Sequence, residues 1–406
     1  MKTINTILSE IKERKDYLIN LITVFIYIYF TAFYIMSHAE IGLEKYANFI
    51  ALILMGLLAV YVIYDGKNLF SLYSLLALVF CGYCFITLIW SPAKDEAFSR
   101  SFTVFKLLVL TVLLYNFTVK EDKVETLVKA LYVAGLFYTA FFFLYFGTDA
   151  ILESIFSGSR IGGEIANQNT LSFRISISAV IGMYYVLFRK HYWNIVPVAF
   201  CFIGILAPGS RQGFLSFFIG VFLLIFFMGK GYKKLISVGI VVVLIISMFL
   251  LMKLPFFSPI MSRITGAIGD IKSSAGGEAS STRIEMIFTG INIFKAHPIL
   301  GAGVGVSSSV TMEMYGWSSY FHNNYVELLA CTGLVGFFIY YFWTCFPVFK
   351  GIKDRKWTEL FYLAVTLTIT NLAGQMASVT YYDKLSAVLI LITWCVVYSA
   401  GKHAEQ

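Results

Sequence analysis

The arginines of this sequence are the side chains best suited to binding an anionic substrate, and their distribution is uneven. Nine arginines occur in the chain. Only three of these arginines lie in the segments that hold most of the lysines. A planar guanidinium holds a phosphate through two parallel hydrogen bonds, whereas a lysine ammonium acts as a point charge. The remaining six are Arg100, Arg160, Arg174, Arg211, Arg263 and Arg283. Their placement predicts a site for a phosphorylated substrate.

Polar clusters in four places could supply such a site. The first spans 157–169 (SGSRIGGEIANQN), with Arg174 shortly after it, and the second spans 208–213 (PGSRQG). The third contains Arg283, and the fourth spans 320–327 (YFHNNYVE), which includes one of only five histidines. Arginine, asparagine and histidine side chains that converge at membrane depth are typical of a site for a membrane-borne phosphorylated substrate. The candidate residues are Arg160, Asn167, Asn169, Arg174, Arg211, Arg283, His322, Asn323 and Glu327.

Several of these residues also have a purely structural interpretation. Arg211, at the end of a predicted span, could anchor the helix by extending its guanidinium to the membrane surface. Arg283 could be a solvated loop charge, and Asn167 and Asn169 could cap a helix. His322 lies beside a predicted helix start and could serve packing alone. Residue type and position leave both interpretations open.

The composition is that of a membrane protein. Of 406 residues, 59% are hydrophobic and 13% are charged, and the mean hydropathy is +0.78, whereas soluble domains are about half apolar and about a quarter charged. Because lipid offers the backbone no hydrogen-bond partners, the spans are expected to be helices. At roughly 20 residues per span, the chain is predicted to be an all-α membrane protein, a polytopic bundle of about 12 transmembrane helices. A soluble enzyme, a secreted disulfide scaffold and a disordered chain are excluded.

Charged, glycine-rich and proline-containing breaks divide the chain into three parts. Residues 1–252 are predicted to form nine transmembrane helices, 253–324 one long external loop, and 325–406 three more helices and a cytoplasmic C-terminus. The predicted spans are 18–36, 46–64, 69–90, 102–119, 127–146, 169–188, 193–207, 213–229, 235–252, 325–349, 357–376 and 383–400. A loop of this length in a chain with short connections is usually functional.

Within the loop, the sequence predicts an amphipathic helix. The run Thr282–Glu285 (TRIE) has the spacing of a capping box, in which threonine and glutamate satisfy the first backbone N–H groups of a helix. This helix is expected to open at Thr282 and to continue through about Ala296, before Pro298 ends it. The run 301–305 (GAGVG) follows no strand and is expected to be a hinge, not a nucleotide-binding turn.

Basic residues orient the predicted spans. With the N-terminus inside the cell, one set of loops holds 17 lysines and arginines, and the short loops of the other face hold 6. Since cytoplasmic loops are enriched in basic residues, both termini are expected in the cytoplasm and the candidate clusters on the external face of the inner membrane. This distribution accounts for the formal charge of +8 without nucleic acid. The polar N-terminus lacks the features of a secretory signal, so the first span is expected to be retained.

No motif for a metal or nucleotide cofactor is found. Walker A, HExxH and GxSxG patterns do not occur. Cys81 and Cys84 form a CxxC inside an apolar run without a second ligand pair, and all six cysteines are expected to pack as small hydrophobes. We expect no cofactor and no bound metal.

The stretch HNNYVELLACTGLVG, which begins at His322, resembles a family signature. His322-Asn323 is followed after nine residues by Gly333-x-x-Gly336, similar to the H-N-x9-G-x-x-G pattern of the bacterial O-antigen ligase and O-antigen/capsule polymerase superfamily. The resemblance covers most of the chain: about twelve spans, one long late loop and cytoplasmic termini.

Two arginines extend the resemblance, which implies metal-independent, inverting transfer of a glycan from a polyprenyl-diphosphate carrier. Arg211 in GSRQG stands where that superfamily has an arginine at an outer helix end, and Arg283 in STRIEMIFTGINIF matches its loop arginine. By this resemblance, His322 is the general base for the acceptor hydroxyl, and the two arginines hold the diphosphate and stabilise the leaving charge. Residues expected to orient lipid or sugar are Arg160, Asn167, Asn169, Arg174, Asn323 and Glu327.

Two reactions fit within the superfamily. A polymerase joins a growing glycan to another carrier-linked repeat unit, and a ligase passes the finished glycan to the lipid A core of lipopolysaccharide. We favour a polymerase of O-antigen or capsule, on the appearance of ANQN before span six and APGSRQG before span eight; a cell without lipopolysaccharide would exclude the ligase. Expected partners are the carrier-linked donor, a glycan or lipid-linked acceptor, membrane lipids and, as further candidates, a flippase and a chain-length regulator.

Outside the superfamily, a transporter of lipid-linked oligosaccharide and a noncatalytic scaffold are the alternatives. Transporters often carry internal repeats and place their binding groups at the membrane midplane. The sequence shows no clear repeat, and its polar groups gather toward the predicted external end. A scaffold would not require histidine and arginine at these positions.

Overall fold

The regular elements in the described part of the chain are all helical. The computed structural model describes residues 2–65, 70–157, 159–229, 239 and 278–399. The helices are α1 (Lys2–Met36), α2 (Glu44–Asp65), α3 (Leu72–Ile86), α4 (Lys94–Lys120), α5 (Val124–Phe146), α6 (Thr148–Ser157), α7 (Gln168–Leu187), α8 (Ile195–Leu206), α9 (Arg211–Met228), α10 (Glu278–Ala296), α11 (Val306–Tyr315), α12 (Asn324–Lys353), α13 (Glu359–Gly374) and α14 (Lys384–Tyr398). Short 3-10 helices cover Ala39–Ile41, Thr87–Ile89 and Tyr192–Asn194.

Eight helices in these ranges are long and apolar enough to cross a membrane. They are α1 from Glu13 onward, α2, α3 with the turn that follows it, α4, α5, α7, α9 and α12. Three shorter apolar helices correspond to α8, α13 and α14. The prediction of an all-α, multi-pass membrane protein is confirmed. The ninth predicted span (235–252, apart from residue 239), the first part of the predicted loop and Arg263 lie outside the described residues, so the count of twelve stays a prediction.

Helix boundaries depart from the apolar windows where polar residues continue a helix. α1 begins at Lys2 and α4 at Lys94, well before the predicted starts at 18 and 102. Two helices of ten residues, α6 and α11, were not predicted because they are too short for a hydropathy window. The loop helix α10 ends at Ala296 as predicted, but it begins at Glu278, so the prediction that a capping box at Thr282 opens it is wrong.

α7 lies inside the bundle and packs against α5, α8 and α9. Most of its side chains are buried, and many of them are small or carry a hydroxyl. Ser172 donates to the carbonyl of Ile205 in α8, and Ser178 donates to that of Leu131 in α5, each over 3.0 Å. Small and hydroxyl-bearing residues let membrane helices approach closely and bond across the contact. This packing fixes where α7 and its neighbour α9 begin.

Four helices, α7, α9, α12 and α14, begin at one end of the bundle, which we call the site end. The hydroxyl of Ser210, before α9, donates to Asn169 in α7 over 2.9 Å. The backbone N–H of Asn324, in α12, donates to the carbonyl of Gln375 at the end of α13 over 2.9 Å. Each of the four starts has a side-chain cap for its free N–H groups. The caps are Asn167 for α7, Ser210 for α9, Asn323 for α12 and Asp383 for α14.

α12 is interrupted at Gly333, whose φ of 61° and ψ of −165° are not helical. The interruption frees backbone groups, and these pair with the segment 298–303 within the predicted loop. The N–H of Leu334, for example, donates to the carbonyl of Pro298 over 2.9 Å. The expected hinge at 301–305 is therefore a turn packed against α12, because backbone hydrogen bonds hold it there.

Candidate functional site

His322 lies between α11 and α12 in a left-handed backbone conformation, with a φ of 54°. That region is unfavourable for most residues other than glycine, although histidine enters it more often than many. The imidazole lies against Tyr320, with 4.6 Å between the ring centres. The side chain is half-buried, so it is supported on one side and still reaches the surface.

The surroundings of His322 favour the neutral imidazole. Burial and, second, the positive charge of Arg283 lower the pKa of His322 from 6.5 to about 4. A neutral ring has one nitrogen without a proton, and this nitrogen can accept a proton or a hydrogen bond from a hydroxyl group. The residue is thus in the form that a general base requires at neutral pH.

The start of α12 is bound to the turn that follows α13, which we call the 374–378 turn. The side-chain amide of Asn324 donates to Gln375 Oε1 over 3.1 Å, in addition to the backbone bond described above. Asn323 caps α12 and donates from its own amide to the carbonyl of Met376 over 3.3 Å. Both asparagines of the histidine signature therefore have structural roles at this turn.

Arg211 is the first residue of α9 and lies beside the same turn. Its neighbour Gln212 donates from the side-chain amide to the carbonyl of Gly374 over 3.0 Å. Because the starts of α9 and α12 are both bound to the 374–378 turn, the structure brings the segments of Arg211 and His322 to one place. Arg211 is partly exposed.

Three further candidates surround the start of α9. Asn167 caps α7 by accepting the N–H of Asn169 over 3.0 Å, and Asn169 in turn accepts the Ser210 bond described above. Arg160, an exposed residue, donates from Nε to the carbonyl of Pro208 over 3.1 Å. The cap interpretation therefore holds for Asn167, and all three candidates lie next to the arginine of α9.

Arg283 is exposed on α10, and this helix is packed against the loop of the histidine. Met286, about one turn further along α10, is buried in a small apolar cluster with Phe321. Burial raises the pKa of Tyr320, and the charge of Arg283 opposes that rise. The same charge lowers the pKa of His322. The packing of Met286 with Phe321 therefore brings the segments of Arg283 and His322 together.

Arg174 is bound to the end of α1. Its guanidinium donates to the carbonyls of Phe33 and Tyr34, each over 3.2 Å, and lies 2.8 Å from Nε2 of His38. Because α1 ends at Met36, these carbonyls have no partner within the helix, and the negative end of the helix stabilises a cation. Arg174 thus caps α1, and its expected part in substrate binding stays a prediction.

Glu327 forms a buried ion pair that sequence reasoning missed. Its carboxylate is 0% exposed and lies 2.7 Å from the guanidinium of Arg100, which is 7% exposed. Arg100 stood out only as one of the arginines outside the lysine-rich segments, and 227 residues separate it from its partner. The signal available was opposite charge within one predicted span, at Glu327, and just before another, at Arg100. Direct contact of Glu327 with a substrate stays a prediction.

Two buried glutamines at the site end were also missed. Gln212 is 8% exposed and Gln375 is 0% exposed. Buried amides need hydrogen-bond partners: the NH2 group of Gln212 donates to the carbonyl of Gly374, and the side-chain oxygen of Gln375 accepts from Asn324. Their polar type at or beside the end of a predicted span was the signal that could have identified them.

The site suits an anion better than a cation. Within the described ranges, no three histidine, cysteine, aspartate or glutamate side chains converge as a metal-binding group. The charged group that acts on His322 is the guanidinium of Arg283, and Arg211 adds a second cation at the site end. A neutral imidazole between arginine-bearing segments can accept a proton next to a bound anion.

A comparison with protein families matches residues 196–341 to the family described as O-antigen ligase. The matched stretch includes Arg211, Arg283, His322 and the two glycines of the signature. No curated protein matches the chain. The resemblance inferred from the signature is confirmed by this family match.

Proposed function

We propose, from the match of residues 196–341 to the family described as O-antigen ligase, that this protein transfers a glycan from a polyprenyl-diphosphate carrier to an acceptor hydroxyl. The family match supports a glycosyltransferase of the ligase or polymerase type. One observation carries the finer proposal: the helix of Arg283 packs through Met286 against Phe321, next to the half-buried His322, at the end of the bundle where α9 places Arg211. A diphosphate held by two arginines would lie beside a base.

His322 acts as the general base in this proposal. The neutral imidazole takes the proton of the acceptor hydroxyl while the oxygen attacks the anomeric carbon of the donor sugar. The bond from that carbon to the diphosphate oxygen breaks on the opposite face, and its electron pair leaves with the diphosphate. The imidazolium then returns its proton to water or to the released diphosphate. A single displacement inverts the configuration at the anomeric carbon.

Arg211 and Arg283 bind the diphosphate and stabilise the charge that develops as it leaves. Arg211 lies at the N-terminus of α9, where the helix dipole favours an anion and disfavours a cation. A diphosphate bound there would have both the guanidinium and the helix end as partners. Because diphosphate is already a good leaving group, the proposed reaction needs neither a nucleotide nor a metal.

Donor binding would make His322 a stronger base. A pKa of about 4 is low for proton transfer at neutral pH, and part of its cause is the charge of Arg283. A diphosphate that neutralises this charge removes that part, so the pKa moves back toward its ordinary value. The base would thereby gain strength once the donor is bound.

The remaining candidates divide by position. We propose that Arg160, Asn167 and Asn169, next to the start of α9, orient the lipid or sugar near the diphosphate. Asn323 acts through the helix start that it caps.

We propose a polymerase that extends O-antigen or capsule chains on the outer leaflet of the cytoplasmic membrane. In this proposal the protein has twelve spans and cytoplasmic termini, and a flippase and a chain-length regulator are its partners. The alternative is a ligase that transfers glycan to the lipid A core, and the description of the matching family favours it. The two reactions share donor and base, so the acceptor distinguishes them.

Purified protein in phospholipid vesicles tests the proposal directly. The donor is a polyprenyl-diphosphate-linked repeat unit, and the acceptor is either a second carrier-linked unit or a lipid A core. We expect carrier-linked glycans of increasing length, and transfer to the lipid A core alone would instead establish the ligase. Replacing His322 by glutamine is expected to lower turnover by about 10²-fold or more.

The control variant is His297→Gln, which alters another histidine of the same loop region, exposed at its surface, and is expected to retain wild-type turnover. A chelator is expected to have no effect. Folded wild-type protein that transfers glycan to neither acceptor would contradict the proposal. Loss of activity on chelation would contradict its metal-independent part.

A further inference from the structure

The Glu327 carboxylate uses both of its oxygens to bind groups around the histidine loop. Oε1 lies 2.7 Å from Nη1 of Arg100 and accepts the hydroxyl of Ser307 over 2.6 Å. Oε2 accepts the backbone N–H of Phe321 over 3.0 Å. The side chain is fully buried, so these contacts account for its surroundings without solvent.

Arg100 connects this carboxylate to a transmembrane helix. The residue lies in the first part of α4, and its Nη2 donates to the hydroxyl of Ser308 over 2.5 Å. Its Nε pairs with Glu96 one turn earlier over 2.6 Å, and the guanidinium lies 5.4 Å from the ring centre of Tyr382. With all three nitrogens engaged, the guanidinium cannot rotate without breaking several bonds. α4 therefore provides a fixed support for the start of α11 and for Glu327.

The bond to Phe321 fixes the peptide immediately before His322. The peptide after it is fixed as well, because Asn323 caps α12 and Asn324 is bound to the 374–378 turn. His322 is thus a left-handed residue between two anchored peptides. A strained conformation of this kind persists only where its surroundings enforce it, and such residues concentrate at functional sites.

We propose that Arg100 and Glu327 are positioning residues that hold the imidazole of His322 toward the acceptor hydroxyl. The inference rests on the proposed role of His322 as base. A buried ion pair adds little net stability compared with an apolar pair of similar volume, because desolvation offsets the attraction between the charges. Its effect here is directional, since one partner is rooted in α4 and the other bonds the backbone next to His322.

The variant Glu327→Gln separates positioning from binding. A glutamine has one acceptor oxygen, so it cannot serve both the Arg100 guanidinium and the Phe321 N–H, and its NH2 group must face one of these donors. A base displaced by about 1 Å costs on the order of 10²-fold in rate. Neither Arg211 nor Arg283 is among the groups that Glu327 contacts. We therefore expect kcat to fall by about 10²-fold while the KM for the donor stays within about 3-fold.

The experiment compares wild type, Glu327→Gln, Arg100→Lys and a control, Glu121→Gln, in the vesicle assay. Glu121 is also a poorly exposed carboxylate, 3.0 Å from Lys15 at the opposite end of the bundle. Hydrogen exchange of the amides in residues 318–323 provides a readout that is independent of activity. We expect faster exchange there and a loss confined to kcat in the Glu327 variant, and wild-type behaviour in the control.

The outcomes distinguish the inference from the proposed function. Wild-type kcat in a folded Glu327→Gln protein would overturn the inference and leave the proposed function intact. A general rise in exchange with a matching rise in KM would also overturn it, since it would indicate loss of structure. A wild-type protein that transfers no glycan would refute the proposed function, and the inference with it.

Arg100→Lys decides the question if Glu327→Gln does not fold. It keeps a positive charge next to the carboxylate, but an ammonium cannot reproduce the planar fork that bonds Glu96, Ser307, Ser308 and Glu327. A fall in kcat of about 10-fold or more, with the KM for the donor unchanged, supports the inference. An unchanged kcat overturns it.

Discussion

Replacing Arg283 by glutamine tests whether the two groups at the centre of the site are coupled. The pKa of His322 lies at about 4, compared with 6.5 for an unperturbed histidine, and burial is the larger of two causes. The guanidinium of Arg283 therefore accounts for less than half of the fall. Its removal is expected to raise the pKa of His322 by less than half of the way back to the ordinary value, because burial of the imidazole remains.

Two assays measure this change. NMR titration of histidine-labelled protein follows each imidazole directly, and the His322 resonance is assigned by its loss in His322→Gln. The pH dependence of kcat/KM reports the same group in the free enzyme: turnover falls as pH drops through the pKa, because the protonated ring cannot accept a proton. In Arg283→Gln, this acid limb should move to higher pH.

Arg283→Lys is the matched control because it keeps the charge and removes the fork. It is expected to leave the pKa of His322 near its wild-type value while lowering donor affinity. His38 serves as an internal reference, since burial and Arg174 lower its pKa to about 2, so it should stay neutral in every variant. An unchanged or lower pKa of His322 in Arg283→Gln would refute the proposed proximity of the two side chains.

Two further variants test the diphosphate site and the break in α12. Arg211→Lys should lower kcat/KM for the donor by about 10²-fold, because an ammonium cannot bind two phosphate oxygens in parallel. The control is Arg189→Lys, which alters an ion pair with Glu359 at the other end of the bundle. Near-normal donor affinity in Arg211→Lys would indicate that Arg211 is only a membrane anchor. Gly333→Ala should lower stability in thermal unfolding by about 1–3 kcal/mol or more, because its Cβ would lie 2.3 Å from the carbonyl oxygen of Ile299. Gly56→Ala, whose Cβ would meet nothing within 4 Å, should be neutral or slightly stabilising, and equal unfolding temperatures for the two variants would contradict the role of Gly333.

Hydropathy predicted the spans because burial in lipid leaves a simple signal in composition. It located a helix for every predicted span within the described residues. It did not predict the polar beginnings of α1 and α4, where helical hydrogen bonding continues past the apolar window. It also missed α6 and α11, ten-residue helices stabilised by packing. The capping-box spacing at Thr282 was misleading, since a local pattern cannot exclude an earlier helix start.

Some residues of the candidate site could be identified from sequence, and others could not. His322, Arg211 and Arg283 could be selected from sequence because histidine and arginine are unusual where they occur and because a family signature surrounds one of them. The pair of Arg100 and Glu327 could not, since contacts between distant segments leave no local pattern. The 374–378 turn was likewise invisible, because its role consists of backbone carbonyls that accept bonds from two other helix starts.

The break at Gly333 explains why the number of residues between the histidine and the glycines of the signature matters: it sets the direction in which the break faces around the axis of α12. Gly333 follows Asn324, the first residue of α12, by nine residues, which is about two and a half turns and about 14 Å of helix. Each residue inserted or deleted between them would rotate the remainder of α12 by about 100° and carry the break away from the 298–303 segment. The nine positions between Asn323 and Gly333 are therefore constrained in number even where their side chains are free to change. A variant of this fold could lengthen the interval only by about a whole turn, with the paired segment shifted along the axis by about 5 Å.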